Sequence, residues 1–221
     1  ALESGATLPV GAEYLTTYFV LMGVVSMLTS SWTTPYLAES IRLGRLSAWL
    51  IRPGSTHFNG IANNLSEKVI KSVVLAPMIA VLWWFFRDMV AVPADAVRWL
   101  LFVVSVVAAA IMKYALDVLV ASLAFWMDDV GGIDYARGVT AMVLRGQLVP
   151  LALFPAWSQG FMDAQPFRFT LSFPLEVLIA DLPSRDLAIG MAMQLVYPVL
   201  SVLAARWLWR KGLRSYSAVG A

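Results

Sequence analysis

Lys113 and Asp117 stand four residues apart in an otherwise apolar run and therefore share one face of any helix built there. A charge in mid-membrane costs about 2.5–3.5 kcal/mol on insertion scales, so the two are expected to face each other and the protein interior. Such a pair serves either as a polar site in a substrate or ion path or as an ion pair that fixes helix packing. Ala109 and Ala121 extend the same ridge. Arg145 opens the run RGQLVP, with Gln147 two residues on. It is placed either to reach Asp117 or Asp128 or to extend toward a membrane surface. Gly146 and Pro150 give that helix a place to bend. Asp128, Asp129 and Asp134 form DDVGGID, a grouping that could hold magnesium on a diphosphate or simply be a solvated turn. His57 is the single histidine, which excludes a His-pair metal site, and no metal ligand set is assigned. The chain has no cysteine, so thiolate metal sites and cysteine nucleophiles are excluded. No GxxxxGK[ST] phosphate loop is present. No catalytic residue is assigned either, and any ATP this protein uses must be bound and hydrolysed, with its magnesium, on another chain.

The elements that must position these residues are set by composition. The 221 residues are 60% hydrophobic and 14% charged, with mean hydropathy +0.74. Soluble domains are about 45–50% apolar and about 25% charged, so this is an all-α polytopic membrane protein, read as one transmembrane domain over residues 1–221. Charged residues bracket five candidate spans: 14–32, 69–86, 99–127, 138–157 and 187–205. Tryptophans fall at their ends, as amphipathic indoles at headgroup level do.

Lys and Arg are unevenly divided between the two sides. One side carries Arg42, Arg45, Arg52, Lys68, Lys71, Arg137 and the basic C-terminal stretch, and the other only Arg87, Arg98, Arg168 and Arg185. The richer side is cytoplasmic by the positive-inside rule, which puts the C-terminus inside. The inner connection 35–68 reads as a short helix, a break near Gly44, a second short helix and a stop at Pro53. The outer connection 154–185 holds four prolines and a 14-residue apolar run, 167–180, too short to cross and suited to a re-entrant or interfacial helical pair.

Five stretches in order resemble the type-two ATP-binding-cassette (ABC) export permeases, in their short branch. ESIRLGRLSAWLIRP (39–53) is similar to that family's Gly-then-Leu-x-Arg-Pro inner segment. FWMDD (125–129) resembles its acidic turn, GQLVPLALFPAW (146–157) its outer Pro motifs, QPFRFTLSFP (165–174) its Pro-Phe pattern, and LWRKGLRSYSAVGA (208–221) its basic tail. The resemblance implies six spans, the five seen here being the last five, with one more before residue 1. It implies that 39–53 is a coupling helix docking on a cytoplasmic ABC ATPase, with Gly44 and Leu46 near the contact and Glu39, Arg42, Arg45 and Arg52 around it. It further implies a second permease, identical or related, as partner in the bacterial plasma membrane, and outward movement of an amphiphilic, drug-like or lipid substrate. Arg145 departs from the family, which tends to have a small residue there. The rival readings are a membrane enzyme acting on a lipid diphosphate through Asp128, Asp129 and Asp134, and a non-transporting scaffold or immunity protein.

Overall fold

The computed structural model describes residues 11–47, 56–86, 90 and 93–216. Every regular element among them is helical. In chain order these are α1 (Ala12–Thr29), α2 (Thr33–Arg42), α3 (Thr56–Phe86), α4 (Ala96–Ala121), α5 (Gly131–Leu144), α6 (Ala156–Ala164), α7 (Ser172–Ile179) and α8 (Ser184–Ser215). Short 3-10 turns at Ser122–Phe125, Leu151–Leu153 and Pro166–Thr170 join them. Helices follow from the solvent: without water, each backbone N–H and C=O of a spanning segment must pair within it.

Four stretches are long and apolar enough to cross a membrane: Glu13–Arg42, Gly60–Phe85, Ala96–Phe125 and Ser184–Ser215. They correspond to the first, second, third and fifth expected spans. Asp95 caps α4, its carboxylate accepting the Val97 N–H at 2.9 Å. α3 and α8 carry Pro77 and Pro198 in their interiors, an interruption that membrane helices tolerate.

The fourth expected span, 138–157, takes a different form. Its helix starts earlier, at Gly131, and stops at Leu144. At a rise of 1.5 Å per residue α5 covers about 21 Å, less than the hydrocarbon thickness of about 30 Å. The helix ends because Gly146 adopts φ +76°, a left-handed conformation, and because Pro150 brings no N–H to continue it. α5 nevertheless runs from one end of the molecule toward the other. Val130, just before it, packs in the cluster of Leu37, Ile41 and Trp209, while Arg145, just after it, meets α7.

α4 is the centre of the bundle, packing most extensively on α8 and also on α1, α2 and α7. Its buried positions include Ser105, Ala108, Ala109, Ala115 and Ala121, small side chains that let neighbouring helices come close. The expected helical pair in the outer connection is present as α6 and α7. α7 is buried over most of its length, with Phe173, Leu175 and Leu178 almost fully enclosed. α3 is the opposite case, with most of its surface exposed and its main packing on α1.

One end of the bundle is closed by an apolar cluster of Leu37, Ala38 and Ile41 from α2, Leu46 from the turn after it, Val118 and Ala121 from α4, and Ala205 and Trp209 from α8. Trp209 is thus a core residue, its ring 5.3 Å from that of Phe125, and not a headgroup-level anchor as its position near a span end suggests. α8 runs to Ser215, well beyond the apolar run 187–205, which places Trp209 inside the helix.

Candidate functional site

The turn after α2 is where the segment 39–53 becomes structural. α2 buries Leu37, Ala38, Ser40 and Ile41 against the bundle and leaves Glu39 and Arg42 exposed. The chain then reverses at Gly44, whose φ of +71° requires a residue without a Cβ penalty. This is the break expected near Gly44. Leu46 follows, fully buried in the inner cluster. Ser47 and Tyr216 hydroxyls meet at 3.2 Å, tying the turn to the C-terminal end of α8.

The turn therefore has two faces. Its apolar face, Leu37, Ile41 and Leu46, is embedded between α4 and α8. Its polar face carries Glu39, Arg42 and Arg45. Arg45 and Glu39 approach to 3.9 Å with both side chains about half exposed, a pairing of the kind that contributes little to stability. Arg42 donates from Nη1 to the Asp128 carbonyl at 3.4 Å. Of the residues singled out in this segment, Leu46 reaches the core and not the surface. Arg52, the second short helix and the stop at Pro53 lie outside the described residues.

The intramembrane polar residues are arranged differently from the pattern that spacing suggests. Asp117 is buried, but its partner is Arg137 from α5, whose Nη2 donates to Asp117 Oδ1 at 2.7 Å and to Asp134 Oδ1 at 2.6 Å. The Thr33 N–H adds a bond to Asp117 Oδ2 at 3.3 Å. One carboxylate thus joins the start of α2, the inner half of α4 and the start of α5. Lys113 forms no ion pair with Asp117, because Arg137 takes that position from across the bundle. Arg137 is outside the apolar run of its segment. Burial works against its charge, and the two carboxylates of Asp117 and Asp134 offset that cost.

Arg145 reaches neither Asp117 nor Asp128. Its Nη2 donates to the Gln147 side-chain oxygen, and its buried Nε has no hydrogen-bond partner among the described residues. The backbone of this turn is held instead. Ser172 Oγ donates to the Arg145 carbonyl at 2.7 Å and Tyr18 Oη to the Gly146 carbonyl at 3.0 Å. Gln165 Nε2 donates to the Leu144 carbonyl at 2.5 Å, and Gln165 Oε1 caps the next turn by accepting the Phe167 and Arg168 N–H groups. The end of α5, α1 and the α6–α7 pair are thereby joined by hydrogen bonds.

At the opposite end of the bundle Arg168 pairs with Glu176 at 2.5 Å and Asp163 at 3.0 Å, and lies over the Phe173 ring. Gln194, fully buried on α8, donates from Nε2 to both the Ser105 carbonyl of α4 and the Phe169 carbonyl, each at 3.0 Å. Charge patterning pointed to neither Gln194 nor Tyr18. The available signal for Gln194 is an amide in a charge-free apolar run, which must find partners when buried.

Asp128, Asp129 and Asp134 do not converge. Asp129 accepts the Gly131 N–H at 2.7 Å and Asp134 is held by Arg137. Among the described residues no three Asp, Glu or His side chains gather closely enough to hold a metal ion.

What remains is a membrane bundle with a two-faced turn at one end and, at the other, a helical pair of which α7 is buried. Against known families, the chain matches the model of the ABC-2 family transporter protein over residues 10–220. The chain belongs to the ABC-2 transporter family. It is therefore a multi-pass membrane protein and a permease subunit of an ABC transporter, the kind of subunit that associates with ATPase subunits. No curated protein and no solved structure matches it significantly.

Proposed function

We propose that this permease moves an amphiphilic, drug-like or lipid substrate outward across a bacterial plasma membrane. It works paired with a second permease, identical or related. Two cytoplasmic ATPase subunits bind ATP and magnesium and dock on residues 39–53, with the C-terminus of the permease on their side. Hydrolysis is theirs, and the permease supplies the path.

The observation that carries this reading is the two-faced turn at Gly44. Glu39, Arg42 and Arg45 are exposed for a partner, while Leu37, Ile41 and Leu46, on the same short stretch, are wedged against α4 and α8. A displacement of the polar face must move the apolar face, since a close-packed core does not yield locally. From there α4 and α8 run to the other end, where Gln194 and Phe173 connect them to the α6–α7 pair. In this reading ATP-driven closure of the ATPase subunits pushes on the turn and tilts both helices. Asp129 is engaged in a turn and Asp134 in an ion pair, and among the described residues no three acidic or histidine side chains gather to hold a metal ion, which leaves the lipid-diphosphate enzyme without a supporting observation.

The test is charge reversal at exposed positions, where the fold is not at risk. The double variant Arg42→Glu/Arg45→Glu, reconstituted with its ATPase subunits, should lose substrate-stimulated ATP hydrolysis and transport while its helical content is unchanged. Retention of both activities would remove the coupling role of this turn.

A further inference from the structure

A cavity of about 670 Å³ opens between α3, α4 and α8, within the range of about 300–1,000 Å³ that holds a discrete small molecule. Its wall along α4 is Val103, Val107 and Ile111, all substantially exposed. Polar groups gather toward the inner end, where Asn64 and Lys68 of α3 and Arg206 of α8 line it. No Asp or Glu is among the lining residues. Lys68 spends two of its three donors on the Ser30 carbonyl at 2.6 Å and Asn64 Oδ1 at 2.8 Å, leaving one. Arg206 is exposed and forms no ion pair among the described residues. The nearby carboxylates are already taken, Glu67 by Lys71 and Asp117 by Arg137. The groove thus has an apolar length and a cationic end with no acidic side chain among its described lining residues, the charge complement of an anionic amphiphile.

From this we infer that the groove binds one anionic phospholipid, its acyl chain along Val103, Val107 and Ile111 and its headgroup at Lys68 and Arg206. The lipid fills the space between α4 and α3, a helix whose main protein contact is α1, and so fastens α3 to the bundle.

The test uses the full-length permease purified from membranes with whatever subunits it carries. Native mass spectrometry reads retained lipid after exchange into detergent with phosphatidylglycerol or phosphatidylcholine, and thermal unfolding is followed with each lipid. Phosphatidylglycerol should be retained in preference to phosphatidylcholine and should raise the unfolding temperature. Arg206→Gln should weaken phosphatidylglycerol retention by about fivefold, the factor that one cation beside an anionic headgroup supplies. Val107→Trp, at an exposed position that can accept a larger side chain, should abolish retention of both lipids and the thermal effect. The inference is overturned by equal retention of the two lipids. It is also overturned if Arg206→Gln binds as wild type does, or if Val107→Trp changes neither retention nor stability, as when a second permease copy fills the groove.

Discussion

Replacing Arg137 with Gln tests the polar interior directly. The substitution removes the guanidinium that lies 2.7 Å from Asp117 and 2.6 Å from Asp134. Asp134 is partly exposed and can recover solvent. The Asp117 side chain is only 3% exposed and would keep a single backbone N–H at 3.3 Å. Removing one partner of a buried pair costs about 3–5 kcal/mol, and the partial exposure of Arg137 puts this case near the lower figure, about 3 kcal/mol. For a chain of this size that corresponds to a fall of about 6–12 °C in unfolding temperature, measured by circular dichroism or a thermal-shift assay in detergent. The double variant Asp117→Asn/Arg137→Gln removes both charges and should recover at least half of the loss. Lys113→Gln is the control that separates the observed pair from the one suggested by the four-residue spacing, and it should leave the unfolding temperature close to wild type. The reasoning is refuted if Arg137→Gln unfolds like wild type, or if Lys113→Gln is as damaging as Arg137→Gln.

Two glycines offer further tests. Gly146→Ala would force an alanine into φ +76° and bring its Cβ to 2.3 Å from Ser172 Oγ and 2.6 Å from Tyr18 Oη. The left-handed backbone alone costs about 1–2 kcal/mol, and limited proteolysis should show the 145–153 region becoming cleavable. Gly190→Ala would set a Cβ at 2.1 Å from the Phe173 ring, which is buried. Overpacking of this kind costs about 1–3 kcal/mol, and the matching variant Gly190→Ala/Phe173→Leu, which makes room for the methyl group, should regain part of the stability lost.

Much of the fold was legible because lipid imposes simple rules. Charge-free length identified α1 and α8, the length of its apolar run identified α4 despite Lys113 and Asp117, and the prolines around 154–185 identified the helical pair. The break at Gly44 was legible from the glycine itself. In the fourth span Gly146 and Pro150 mark where the helix bends, but hydropathy continues to Trp157 and does not register the left-handed conformation at Gly146 that ends the helix at Leu144. The Lys113–Asp117 pairing failed for a related reason. Spacing along one helix reports which residues share a face, but the partner of Asp117 comes from α5, twenty residues away, and only the bundle brings it there. Leu46 shows the same limit. Its sequence neighbours are polar and exposed, yet the turn at Gly44 carries it back into the core.

Because the chain has no cysteine, a single introduced thiol reports directly where the ATPase subunits dock. A single cysteine can be introduced at Arg45, whose side chain is 61% exposed on the polar face of the turn. A second protein carries it at Trp157, 87% exposed on α6 in the outer connection. Each is assembled with its ATPase subunits and treated with a short thiol-to-amine cross-linker. Arg45→Cys should join the permease to an ATPase subunit, and Trp157→Cys should not. Cross-linking from position 157 and none from position 45 would contradict docking on the Gly44 turn.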